Sequence, residues 1–340
     1  MPRKHQLRSG SYRIQAYDYT DDSGKRHYKS FTAPSMKEAK ALRNEWQLRR
    51  RNEPKQEDLR IADAVGRYIA LKEPVLSPAT VRGYETIIRT HLRGDFGRLR
   101  LSEVDSKAAQ YWISELAKER TPKTVKNAYG LISATLAMFA PDVRLSVQLP
   151  ASKKPDLYCP SDDDIRALLE QLRDDPELEL AVLLAAFGPL RRGEVCALED
   201  TDIRGNVIRI SKSMVEGPGG VWSIKGPKTA GSYRSVEYPD SVIAKIPRRR
   251  GRIILSNPDQ ISRRFRHAID KSGLPHFRFH DLRHYGASIM HAIGVPDQYI
   301  MQRGGWSSDS VMRSVYRNVI DLESAKQNRR IVQHFGAISR

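Results

Sequence analysis

The sequence predicts a multidomain α+β protein: a small N-terminal β-sheet with one helix, then an all-α bundle, then a mixed, mainly α domain with a small antiparallel sheet. Three observations carry that prediction. Strand-type alternation is confined at first to residues 12–31. Helical periodicity then runs from about 61 to 140 with no strand signal. Beyond 161, short strand patterns alternate with longer helical ones.

The elements follow in order. Tyr12-Arg-Ile-Gln-Ala-Tyr17 alternates, Asp21-Asp-Ser-Gly24 supplies a turn, and His27-Tyr-Lys-Ser-Phe31 returns, which together make a hairpin. The box Ser35-Met-Lys-Glu38 starts a helix with Met36, Ala39, Leu42 and Trp46 on one face. Arg49 to Glu57 reads as a charged linker, so a first domain spans 1–55. In the next, Ser77-Pro78 and Thr121-Pro122 provide N-caps followed by a first-turn proline. Val81, Tyr84, Ile88 and Leu92, then Val125, Ile132, Leu136 and Phe139, suit a four- or five-helix bundle over 60–145. Pro141 to Pro160, with four prolines, is a second linker. The last domain, 155–340, opens with the cap Ser161-Asp-Asp-Asp164, continues through a buried helix at Leu178–Phe187, and places strands at Val207–Ser211, Val221–Ile224 and Arg234–Tyr238 before helices return from Asp259.

Composition narrows the function. The apolar share of 39% plus 22 glycines is that of a folded domain, and no apolar run reaches the roughly 18 residues of a membrane span. No secretory signal is visible and two cysteines make neither a disulfide framework nor a zinc site, so a cytoplasmic protein is expected. A net charge of +18 makes polyanions the expected partners. The excess concentrates in 1–60 and in 241–290, where Arg248, Arg249, Arg250, Arg252, Arg263, Arg264 and Arg266 are interleaved with Phe265 and Phe277. Arginine matches phosphate geometry better than lysine, and nucleic acid is the partner this stretch suggests.

Familiar enzyme templates are absent. Gly220 to Thr229 has the wrong spacing for a phosphate-binding loop, and Pro227 lacks the backbone donor such a loop uses. His280 and His284 have metal-ligand spacing, but Arg283 between them would set a permanent cation beside any metal, so no metal is expected. No Gly-x-Ser-x-Gly elbow is present. What remains is an ordered set: Leu190-Arg191-Arg-Gly-Glu194, Pro227-Lys228-Thr229, His280-Asp-Leu-Arg283-His284-Tyr285, Gly304-Gly-Trp306-Ser, and Val315-Tyr316-Arg317. In that order the set resembles the tyrosine recombinase (phage integrase) family over 155–340. The two upstream units are similar to the arm-binding and core-binding domains of integrases of temperate phages and integrative conjugative elements.

The resemblance implies a site-specific DNA recombinase that cuts and rejoins DNA through a 3'-phosphotyrosyl link, for integration and excision of a mobile element, with no cofactor. Tyr316 is then the nucleophile and Lys228 the acid that protonates the departing 5'-oxygen. Arg191 and Arg283 take up the charge on the non-bridging oxygens, His280 assists proton transfer, and Trp306 donates one indole hydrogen bond or packs. Glu194 and His284 are supporting residues. Arg248, Arg249, Arg250, Arg263, Arg264 and Arg317 are DNA-contact candidates. The implied partners are double-stranded DNA at core and arm sites, a homotetramer across two duplexes, and accessory DNA-bending or excision factors. Ile331, Val332 and Phe335 suggest that the C-terminal segment docks on a neighbouring subunit. Three departures touch geometry: ten positions rather than nine separate Trp306 from Tyr316, Pro189 stands where glycine is usual, and Asn318 where histidine often follows the nucleophile. Two other readings share the residues: a type IB topoisomerase-like nicking-closing enzyme, and a catalytically inert DNA-binding regulator.

Overall fold

The computed structural model describes residues 7, 9–20, 25–52, 58–152, 158–226, 233–306, 328–329 and 331–338, with 49–52 described by backbone only. The expected turn at Asp21–Gly24 lies outside these residues. The chain divides into two compact units, one of Met1–Val65, Leu92–Glu119 and Tyr129–Gln148, the other of Gly66–His91, Arg120–Ala128 and Leu149–Arg340.

In the first unit, strands β1 (Tyr12–Thr20) and β2 (Arg26–Ala33) pair antiparallel, with a register shift between Tyr17 and Tyr19. Their alternation buries Ile14, Ala16, Phe31 and Ala33 against helix α1 (Met36–Asn52), which contributes Ala39. Trp46 of α1 lies 5.5 Å from Phe31, ring to ring. Ser35 caps α1 through the Glu38 amide at 3.2 Å. Two expectations shift here: Leu42 is exposed rather than on the buried face, and the helix continues through the Arg49 to Arg51 run instead of yielding to a linker. Arginine is a good helix former, so charge alone does not end a helix.

Helices α2 (Ile61–Lys72), α3 (Pro78–His91), α4 (Asp95–Arg98), α5 (Ser106–Glu119) and α6 (Pro122–Phe139) follow, and the boundary between the units falls within α2 and α6. Ser77 and Thr121 cap α3 and α6 as the sequence indicates. In α3 the buried isoleucine is Ile87, with Ile88 half-buried. Within the first unit Phe96 of α4 stacks on Trp112 of α5 at 4.7 Å. The segment after α6 is extended, and α5 holds it: Ser106 accepts from the Ser146 amide at 2.9 Å, and the Gln110 amide group bonds both backbone groups of Gln148 at 2.7 and 3.2 Å.

The second unit has its core in α7 (Asp162–Gln171), α8 (Pro176–Phe187), α9 (Arg192–Ala197), α11 (Pro258–Ser272) and α12 (Asp281–Ala292). Its strands are β3 (Ile203–Arg204), β4 (Val207–Ile210), β5 (Ser213–Glu216), β6 (Trp222–Lys225) and β7 (Arg234–Glu237), and two further helices are α10 (Asp240–Ile243) and α13 (Asp297–Gly304). The strands form a β3-β4-β7 sheet and a separate β5-β6 hairpin, all antiparallel. Strand β5 carries no period clear enough to announce it in the sequence, and its pairing with β6 supplies the partner. Helix α8 is buried at Leu178 and from Leu180 to Ala186, with apolar residues all round beyond Glu179. Helix α12 crosses it closely: a Cβ at Gly286 would come within 2.1 Å of the Ala186 carbonyl, so only glycine permits that contact. Phe265 and Phe277 are core residues, packed edge to face at 5.6 Å. They do not interleave with the arginines as a nucleic-acid stacking surface. Among the described residues, no helix is long and apolar enough to cross a membrane.

Candidate active site

Helix α8 ends at Gly188, and the chain turns through Pro189 and Leu190 into Arg191, the N-cap of α9. Pro189 has φ of +25°, far from the value near −65° that its ring prefers, so the turn is strained where glycine would not be. Glu194 folds back in a capping box and accepts from the Arg191 amide at 2.8 Å and from Arg191 Nη1 at 2.8 Å. Arg191 Nη2 donates to the Gly305 carbonyl at 3.0 Å, while the side chain stays 40% exposed.

Arg283, on the first turn of α12, is fully buried. Its Nη1 donates to the Pro189 carbonyl and, at 2.6 Å, to the Gly304 carbonyl. The two guanidiniums thus hang on adjacent carbonyls at the negative C-terminal end of α13. Trp306 lies over Arg283, with Cζ 3.9 Å from the ring centroid, and also packs with Ala287 and Ile300. The approach needs Gly304, where a Cβ would sit 1.8 Å from the indole. Trp306 is thus packed as one of its two expected roles requires. Arg283 Nη2 has no partner among the described residues. Burial, then the nearby charge of Arg191, push its pKa well below the usual guanidinium value. Such a buried, unspent donor in a cationic surrounding favours an anion.

His280 stands at the N-cap position of α12 without a side-chain capping bond; the residue is exposed and its ring is set at right angles to His284 at 5.0 Å. Loss of hydration against the surrounding protein, then His284 and Arg283, push its pKa down to about 4, so it is neutral near pH 7. Burial also lowers His284, whose Nδ1 has no partner among the described residues. Arg191, Glu194, Arg283 and Trp306 thus meet around the ends of α8, α9, α12 and α13, with His280 and His284 paired on the first turn of α12. Lys228, Tyr316 and Arg317 lie outside the described residues.

The DNA-contact candidates separate. Arg248 and Arg250 are exposed. Arg249 is occupied by backbone carbonyls, donating to that of Arg252 at 2.9 Å and to that of Ile253. Arg264 is engaged with Asp175 and Glu177 and donates to Ser256 Oγ at 2.7 Å. That network and its backbone donors, Leu255 N at 2.6 Å and Ser256 N at 3.0 Å, hold the Glu177 pKa down at about 2. Arg263 is exposed and lines a cleft of about 980 Å³ with Arg192, Trp222, Asp259, Arg266, His276, Arg278 and His280. Arg192 is tied to Ser262 and, at 3.4 Å, to Asp259, which leaves Arg191 as the arginine beside Arg283's anchoring carbonyls.

Sequence reasoning passes over Arg234. This first residue of β7 is buried, donates from Nη2 to Glu194 Oε2 at 2.7 Å and from Nε to the Arg303 carbonyl at 2.7 Å. The signal was present: in Arg234-Ser-Val-Glu-Tyr238 the inward positions are 234, 236 and 238, so an arginine falls on the apolar face and requires a buried counter-charge.

The phage integrase family matches residues 161–323. The phiRv2 prophage integrase of Mycobacterium tuberculosis is 25% identical over 264 residues, 70% of this chain and 69% of that protein. A XerC-like tyrosine recombinase of Caldanaerobacter subterraneus is 23% identical over 365 residues, 91% of this chain and 92% of that one. Among solved structures, the Tn1549 transposon integrase (residues 82–397), in complex with transposon right end DNA, has the same fold: TM-score 0.67 at 16% identity, over 81% of this chain and 100% of that one.

Proposed function

Because this chain belongs, through residues 161–323, to the phage integrase family of tyrosine recombinases, and is on that ground a DNA strand transferase of site-specific recombination, we propose that it works through a 3'-phosphotyrosyl intermediate to integrate and excise a mobile element. The observation that carries the proposal is the pair of guanidiniums on the adjacent carbonyls of Gly304 and Gly305, one buried with an unspent donor and one partly exposed. A phosphodiester gathers charge on its two non-bridging oxygens as its phosphorus is attacked, and two fixed cations stabilise that charge more than they stabilise the resting diester.

In this reading the Tyr316 oxygen forms a bond to phosphorus while the bond to the 5'-oxygen breaks. The phenol loses its proton, and the 5'-oxygen gains one from Lys228. His280, neutral at pH 7, bonds a phosphate oxygen or relays a proton, and Trp306 holds Arg283 in place from above. The phosphodiester energy is kept in the protein-DNA bond, so religation by the freed 5'-hydroxyl needs no ATP. Double-stranded core-site DNA is the substrate, bound by 60–145 and 155–340, with 1–55 reading arm sites and a homotetramer joining two duplexes. Accessory bending or excision factors belong to the same scheme. The C-terminal helix at 331–338, whose Ile331, Val332 and Phe335 are all exposed, is the segment we assign to contact between subunits.

The test is covalent capture of a nicked duplex carrying the attachment site. Tyr316→Phe should abolish capture and leave duplex binding nearly unchanged, since phosphate contacts dominate affinity. An undiminished adduct would remove Tyr316 from the mechanism. Relaxation of any supercoiled plasmid without sequence preference would point to a nicking-closing enzyme instead. A chain starting near Arg60 should still cleave an isolated core site and lose integration between molecules.

A further inference from the structure

We propose that Arg234 is a positioning residue of the strand-transfer site: it supplies the charge that neutralises Glu194, so that the charge of Arg191 stays available to DNA. The proposal rests on the strand-transferase reading above. Glu194 is buried between two guanidiniums. Its Oε1 takes Arg191 Nη1 at 2.8 Å and Arg234 Nη1 at 3.3 Å, and its Oε2 takes Arg234 Nη2 at 2.7 Å and the Arg191 amide at 2.8 Å. The two arginines differ in exposure, with Arg234 at 2% and Arg191 at 40% of the side chain. One carboxylate therefore has one cation sealed behind it and one facing outward.

The balance of charge explains the arrangement. A buried carboxylate must have a partner, and with Arg191 alone the pair would be self-satisfied, its attraction for a phosphate correspondingly weaker. With Arg234 behind it, the three groups carry a net +1, directed through Arg191. Arg234 also acts on the other guanidinium. Its Nε bond to the Arg303 carbonyl at 2.7 Å fixes the end of α13, and Gly305 packs directly on it, a Cβ there falling 3.1 Å from Arg234 Nη1. The carbonyls that anchor Arg283 and Arg191 belong to Gly304 and Gly305, within two residues of that bond. One side chain thus sets both the charge state behind Arg191 and the shelf on which both guanidiniums rest.

The experiment is single-turnover covalent capture by the full-length chain of the same nicked attachment-site duplex, with duplex affinity and thermal midpoint measured in parallel. Arg234→Gln should slow capture on the order of 100-fold while duplex affinity changes by no more than about threefold. The defect should shrink as the pH is lowered. Burial raises the Glu194 pKa and Arg234 is the strongest influence lowering it, so in the variant the carboxyl takes up a proton at a higher pH than in the wild type, which frees Arg191. Adding Glu194→Gln to Arg234→Gln should recover part of the rate, because the competing carboxylate is gone. A packing role alone predicts the opposite, a double variant no faster than the single. Should Arg234→Gln fail to fold, Arg234→Lys, which keeps the charge behind Glu194, enters the comparison: capture within about tenfold of wild type supports the role of that charge, and a loss as large as about 100-fold overturns it. Capture by Arg234→Gln at the wild-type rate, or no rescue by Glu194→Gln, overturns the assignment alone. Failure of the wild-type chain to capture DNA overturns the strand-transfer reading together with it.

Discussion

Pro189 joins a strained backbone to a catalytic candidate. Its carbonyl accepts from Arg283, and its φ of +25° lies on the positive side that glycine populates and proline does not. Pro189→Gly should remove strain of order 1–3 kcal/mol, offset by the roughly 1 kcal/mol that glycine adds to unfolded-chain entropy. The expected result is a thermal midpoint unchanged or higher, with capture retained. A clear fall in midpoint would mean that the ring's packing outweighs its torsion. At Arg191, replacement by Lys substitutes a point charge for a fork that bonds both Glu194 and Gly305, and most cleavage should be lost while duplex binding persists. Both arginines were legible because their spacing is shared with a family. Arg234 was not, because a lone arginine in a strand announces burial only when the strand's inward face is known.

Among the elements, caps and periodicity read well. Ser35, Ser77, Thr121 and Ser161 all cap the helices they were expected to cap, since a side-chain oxygen near free amides is a local matter. Long-range partners read poorly. Arg264 looked like a phosphate contact in a basic run, but helix α11 turns it toward Asp175 and Glu177 at the start of α8, while Arg263 faces the cleft. Sequence neighbours on a helix point about 100° apart, so a run of arginines cannot share one partner. Arg264→Met should cost about 1–3 kcal/mol in urea denaturation, because the partly buried carboxylates lose their partner. Arg263→Gln should leave stability within about 0.5 kcal/mol. Equal losses from the two would contradict this division of labour.

For the whole molecule, stability should depend on pH in two successive windows that overlap between pH 4.5 and 4. His280 and His284 have folded pKa values below the ordinary 6.5, so the unfolded chain binds more protons as the pH falls through that value. The contribution of His280 is present in full above 6.5 and is lost toward 4, and that of His284 is lost in the same direction. Glu177, held at about 2, contributes above 4.5 and is lost between 4.5 and 2. A thermal midpoint that falls between pH 7 and 4 in the wild type, and falls less in His280→Asn, is the expected observation; an unchanged slope would exclude His280 as its source.

Helix α8, enclosed on all sides, runs straight into the turn that presents Arg191. Its amides should exchange with deuterium only when the second unit opens globally. In the proposed mechanism, an arginine set just beyond that segment keeps its aim while distant surface loops drift, so sequence preference for DNA can diverge without retuning the grip on phosphate.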